Sequence, residues 1–200
     1  MKTHSNITHR PYQPSDYQSV MEFLSRLLKN NPNQHNWLPS RFEYAEYLVS
    51  PLFQERGRAN WHSTIQLWED QDQLVGMVHS ENPDANAYLQ IDPDYLKLTD
   101  ELIGWAEANI AVVDYDNTRP RLAIWASDND HHRISALRDR SFVRTDAIDF
   151  LQQQNITHAM AASELPQRYE LTSFADKLDF KNRMECAALA FGDKQPVTEA

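Results

Sequence analysis

Apolar and polar positions alternate along this chain with two different periods, and the changes of period divide it into elements. Ile7–Gln13 alternates with period two and stops at Pro14, which predicts a short strand. Ser15 followed by Gln18 has the form of a capping box, and Val20, Phe23, Leu24, Leu27 and Leu28 then lie on one helical face. The polar stretch 31–36 predicts a loop, and Pro39-Ser40 opens a second helix over about Arg41–Val49 that Pro51 ends. Ser63–Trp68 and Gln73–His79 flank the polar turn Glu69-Asp70-Gln71-Asp72 and predict a β-hairpin. Ala85–Ile91 is a third strand of the group. Leu98–Ala111 has helical periodicity, with Leu98, Leu102, Trp105, Ala106 and Ile110 inward. Leu122–Trp125 is a short strand, and a helix over about Asp130–Arg140 follows, with Asp128, Asn129 or Asp130 as its cap. Phe142–Leu151 supplies one or two further strands. The order β-α-α-β-β-β-α-β-α-β predicts an α/β fold: a mixed, mostly antiparallel sheet with helices on its faces.

Composition narrows the function classes. The 200 residues suit one α/β domain rather than two complete ones. A formal net charge of −10 argues against nucleic-acid binding, which needs a basic surface, and either favours a cationic partner or serves solubility. No apolar run approaches the roughly 20 residues of a membrane span, and the N-terminus lacks the apolar core of a signal peptide. The lone Cys186 has no internal partner, which predicts a reducing, cytoplasmic setting. Only four glycines occur, Gly57, Gly76, Gly104 and Gly192, so no glycine-rich phosphate loop can be formed. No pair of His or Cys residues has metal-ligand spacing, and the adjacent His131 and His132 point apart on a helix.

Several phrases, in this order, resemble the GNAT superfamily of acyl-CoA-dependent N-acyltransferases. Gln73-Leu74-Val75-Gly76-Met77-Val78 is similar to its third strand. Tyr88-Leu89-Gln90-Ile91-Asp92-Pro93-Asp94-Tyr95 is similar to the end of its fourth. Leu102–Glu107 matches the helix that follows, and Ser141-Phe142 stands where the family often has Gly-Phe. The likeness runs from about Asn6 to Ile156 and sets a domain over 6–157. Downstream, Leu165-Pro166-Gln167-Arg168-Tyr169-Glu170-Leu171 resembles the joint of tandem GNAT proteins. Residues 158–200 are then either a linker with the first strand and helix of a second such domain, or an extra edge strand and a docking helix.

The resemblance implies acetyl-CoA as cofactor and a small-molecule or peptide amine as acceptor. It places Leu89, Gln90 and Ile91 beside the pantetheine arm, with Lys97 and Asn129 as further cofactor contacts. Tyr88, Asp92 and Tyr95 are the acid or base candidates. A second GNAT domain or a second copy of the chain is the implied protein partner. Two departures from the family pattern stand out. The turn Tyr95-Leu96-Lys97-Leu98-Thr99-Asp100-Glu101 has no glycine, and Asp100 and Glu101 put negative charge where a helix N-terminus would favour phosphate. The position of the family's proton-donating tyrosine falls on Leu137, and that of an asparagine near the start of the same helix on Asp130. His131 and His132 can titrate near neutrality or simply be a solvated first turn. Trp37, Phe42, Tyr44 and Tyr47 either shape an acceptor pocket or belong to the core. Two readings follow: an N-acetyltransferase with a degenerate pyrophosphate loop, or a non-catalytic GNAT half with a structural, partner-binding or substrate-shaping role.

Overall fold

The computed structural model describes residues 7–30, 37–46, 60–81, 85–113 and 120–150, with isolated positions beyond. The chain divides into two compact units, Met1–Ala147 and Ile148–Ala200. The joint and helix anticipated over 158–200 lie almost wholly outside the described residues, as does Tyr47.

In the first unit, β1 (Ile7–Pro11), β2 (Gln66–Asp70), β3 (Gln73–His79), β4 (Asn86–Ile91) and β7 (Ala123–Ile124) form one sheet in the order β1-β2-β3-β4-β7. Neighbours are antiparallel through β4, and β7 joins β4 in parallel. A separate two-stranded ribbon pairs β5 (Val112–Val113) with β6 (Pro120–Arg121), which the hydrophobic pattern did not announce. The helices are α1 (Tyr17–Asn30), α2 (Pro39–Tyr44), α3 (Thr99–Asn109) and α4 (His131–Asp139). This is the mixed, mostly antiparallel sheet flanked by helices that the pattern of periods predicts. Among the described residues no helix is long and apolar enough to cross a membrane.

Each face of the sheet has its own core. On one, Val20, Phe23, Leu24 and Leu27 of α1 pack with Trp37, Phe42, Trp61, Leu67, Met77 and Tyr88. On the other, Leu102, Ile103 and Ala106 of α3 cover Trp68, Val75, Val78, Ala87, Leu89 and Ile91. A bulge in the β2–β3 register lets Val75 and Gly76 both serve the α3 side. Glycine at position 76 suits a close approach: a Cβ there would stand 3.2 Å from Trp68 Cβ, tighter than most such contacts, and in ordinary contact with Leu102 Cδ2 at 3.6 Å.

Three expectations are corrected in detail, and a fourth, the cap of α4, is narrowed to one of its candidates. The box at the first helix joins Gln13 and Asp16 rather than Ser15 and Gln18. Gln13 N–H donates to Asp16 Oδ2 (2.7 Å), and Arg10 fixes that carboxylate while also pairing with Glu69. Gln18 is on the helix surface, bonded to Glu22. The hairpin turn is only Gln71-Asp72, both left-handed (φ 50° and 66°), so Glu69 and Asp70 remain in the strand. Asp130, of the three candidates, caps α4 by accepting Arg133 N–H at 3.0 Å. Residues 142–150 contain no strand, and residues 143–147 are all exposed, so the alternation there buries no face.

Ser141 occupies the position where Gly-Phe was expected, and its φ of 67° shows why glycine suits it. Ser141 N–H bonds Arg138 O and Phe142 N–H bonds Leu137 O, both at 2.9 Å, which closes α4 as a Schellman motif.

Candidate functional site

The ladder between β4 and β7 is short, and what ends it can be named. Ala123 N–H donates to Ala85 O (2.8 Å) and Trp125 N–H to Ala87 O (3.3 Å). The next rung of a parallel ladder would run from Leu89 N–H to Trp125 O. That carbonyl instead accepts Arg133 Nη1 at 3.2 Å. Arg133 is buried at the start of α4 and pairs with Asp130 (3.1 Å), each side chain under a tenth exposed. Burial pushes its guanidinium below the ordinary value, and the Asp130 charge opposes this. The strands therefore separate after Ala87. Leu89 and Ile91 turn their N–H and C=O toward the edge that β7 has left, while both side chains stay in the α3 core. Gln90 has the opposite backbone orientation: it faces β3, opposite Met77.

At the end of β4 the chain enters two short 3-10 turns within Pro93–Leu98, kinked at Tyr95 (φ −119°, ψ 25°), and α3 follows directly. Asp92 Oδ1 accepts Asp94 N–H (3.1 Å), Tyr95 N–H returns to Asp92 O (2.8 Å), and Thr99 N–H returns to Leu96 O. Tyr95 and Thr99 thus spend their N–H groups on carbonyls three residues back, and Asp94 spends its own on the Asp92 carboxylate, so these three amides are not offered to an outside anion. Asp94, Asp100 and Glu101 add negative charge there. Glu101 accepts Trp68 Nε1 (2.7 Å), and His132 Nε2 donates to Leu96 O (3.1 Å) from the first turn of α4. Lys97 and Asn129 are both exposed at this end, Asn129 with its N–H on Ser127 Oγ. Leu137 is half-buried against the α3 core.

The three acid or base candidates stand apart. Asp92 pairs with Arg26 of α1 (2.9 Å), whose other amine holds Leu74 O. Tyr95 donates its hydroxyl to Asp70 (2.8 Å), and burial, reinforced by that carboxylate, pushes its phenol up to about 12. Tyr88 lies on the opposite face, where its hydroxyl donates to Glu81 (3.1 Å).

Around Tyr88 is a cluster that reading the chain in order did not assemble. Its ring stacks with Trp125 (6.2 Å, 7°) and with His79 (5.5 Å, 10°), and Trp37 lies 4.5 Å away. Arg41 of α2 is bidentate to Glu81 and sits over the Trp37 and Tyr88 rings, at 4.8 and 5.5 Å. Beneath it, Trp37 Nε1 and His79 Nε2 are buried without a hydrogen-bond partner. Burial drives the His79 pKa down to about 3; the Ser80 carbonyl resists, and the Arg41 charge adds to the fall. The grouping of Trp37 with α2 was legible in sequence, but His79 and Glu81 arrive through β3, whose register sets them beside Tyr88. Among the described residues no three His, Cys, Asp or Glu side chains form a group that could hold a metal ion.

No family model matches the chain, and no curated protein matches its sequence. Two solved structures are similar in fold. One is described as a possible acetyltransferase from Clostridium difficile 630, at 12% identity and a TM-score of 0.43, over 74% of this chain and 98% of the other. The second is described as a predicted acetyltransferase with acetyl-CoA from Clostridium acetobutylicum, at 11% identity and a TM-score of 0.38, over 78% of this chain and 100% of the other. Neither likeness reaches the chemistry of the site.

Proposed function

We propose that this chain is a GNAT-type N-acetyltransferase domain that takes the pantetheine arm of acetyl-CoA along β4 and has little hold on the pyrophosphate. The carrying observation is the opened edge at Leu89 and Ile91. Among the described residues no strand pairs with the outward backbone groups of these two buried residues, and such groups cost about as much as a lost hydrogen bond unless something pairs with them. An extended amide-bearing arm lying along β4 would supply that pairing. In the transfer itself, an amine nitrogen attacks the thioester carbonyl, a C–N bond forms, the C–S bond breaks, and the thiolate takes up a proton. All three acid or base candidates are bonded to charged partners, Tyr95 to Asp70, Asp92 to Arg26 and Tyr88 to Glu81; we favour Tyr88 for moving a proton because its ring stacks on Trp125, where β7 leaves β4.

The 3-10 helix at Pro93–Leu98 favours a second reading, a non-catalytic domain of this fold. Titration with acetyl-CoA and with S-acetyl-pantetheine, which lacks the pyrophosphate and nucleotide, separates the two. Saturable binding of both, with affinities within about threefold, is the expected result, since a missing cradle contributes nothing to discriminate them. Acetyl-CoA binding 100-fold tighter would overturn the reduced-seat reading, and binding of neither would leave the non-catalytic one.

A further inference from the structure

We propose that Glu81 and the rings of Trp37 and Tyr88 form a binding site for the guanidinium group of a ligand, and that Arg41 closes this site as an internal competitor. The guanidinium of Arg41 already makes every interaction such a ligand would make. Its planar fork meets the Glu81 carboxylate through two N–H groups, and its face lies over the Trp37 and Tyr88 rings. The carboxylate is itself positioned, because Tyr88 donates its hydroxyl to Glu81 Oε2. Glu81 is mostly buried (17% exposed), whereas the Arg41 side chain keeps 38% of its surface in solvent. Holding that long, partly exposed arm in one rotamer costs side-chain entropy, so only a competitor that offers the same bidentate and stacked contacts could take its place.

A second observation distinguishes this cluster from an ordinary surface pair. Directly below Arg41, Trp37 Nε1 and His79 Nε2 are buried with no partner, on rings only 4.4 Å apart. With the His79 Nδ1 directed at the Ser80 carbonyl, Nε2 is the acceptor and Trp37 Nε1 the donor. Native interiors rarely leave two such atoms unpaired; a water admitted when Arg41 swings out would accept from Trp37 Nε1 and donate to His79 Nε2, whereas a guanidinium, which only donates, would serve His79 Nε2 alone. The required ligand group is a planar cation of guanidinium shape: an ammonium would meet the carboxylate through a point charge and would not stack. The inference depends only on this cluster and stands whether or not β4 receives an acyl-CoA.

The test uses the whole chain without acetyl-CoA. Methylguanidinium is titrated at constant ionic strength while tryptophan fluorescence is recorded, with methylammonium as the control cation. Saturable binding to the wild type is expected, at least tenfold tighter than methylammonium. In Arg41→Met, which keeps the alkyl stem, the dissociation constant should fall about tenfold, as it must if Arg41 fills the site nine-tenths of the time. Glu81→Gln should abolish binding in both backgrounds. Equal affinities of wild type and Arg41→Met, or undiminished binding to Glu81→Gln, would overturn the proposal. So would binding to Arg41→Met alone, because Arg41 would then be a fixed plug. The wild-type titration decides even if a variant fails to fold.

Discussion

His79 should make this fold sensitive to mild acid. The ring is fully buried between Trp37 and Tyr88, and desolvation, with the nearby Arg41 charge, holds its pKa at about 3 against about 6.5 in an unfolded chain. A histidine whose folded pKa is depressed takes up its proton in the unfolded state first. Its contribution is therefore intact above the unfolded value and is lost as pH falls from about 6.5 toward 3. Integrating the linkage between pH 7 and pH 5 gives a loss of about 2 kcal/mol from this one group. His79→Phe keeps an aromatic ring in the stack, removes the titration, and deletes the unpartnered Nε2, so its stability at pH 7 should lie within about 1 kcal/mol of the wild type. Urea denaturation of both proteins at pH 7 and pH 5 reads the effect as a difference of differences, which cancels the other histidines and the carboxylates. The wild type should lose about 2 kcal/mol more than the variant over that interval. Equal losses would show that the His79 ring reaches water and that the tight packing around it is wrong.

Other expected outcomes concern the fold directly. Gly76→Ala would press a methyl against Trp68 Cβ and Leu102, so the denaturation midpoint should fall by an amount equivalent to about 1–3 kcal/mol. Asp130→Ala removes both the α4 cap and the partner of a buried guanidinium, and should cost about 3–5 kcal/mol; Asp130→Ala with Arg133→Met should recover most of it, and no recovery would mean that the ion pair is not the cause. Ser141→Gly relieves a left-handed backbone at the end of α4 and should stabilise by about 1 kcal/mol in the same assay. Tyr95→Phe should cost about 1 kcal/mol through the lost bond to Asp70, and if Tyr95 is structural it will leave any acetyl transfer rate unchanged.

The sequence alone carried the types and order of the main-sheet strands and of the helices, though not the β5–β6 ribbon, because a helical face and a strand face repeat with periods that a few residues reveal. Val20, Phe23, Leu24 and Leu27 announced the buried side of α1, and the alternation on either side of Gln71-Asp72 announced the hairpin. The absence of glycine before α3 was equally plain, but not the path taken there, two 3-10 turns kinked at Tyr95 in which Tyr95 and Thr99 return their N–H groups to Asp92 and Leu96. Tertiary structure decided the rest, since it depends on partners distant in sequence. Alternation in Phe142–Leu151 predicted one or two strands, yet among the described residues 142–150 pair with no strand, and nothing local could tell. The opening of β4 depends on Arg133 taking the Trp125 carbonyl, and Arg133 lies 44 positions from Leu89, the residue whose rung it displaces. The Arg41–Glu81 pair and the rings around it come from α2, β3, β4 and β7, so hydrophobic periodicity could mark each ring as buried but not that they meet around one carboxylate.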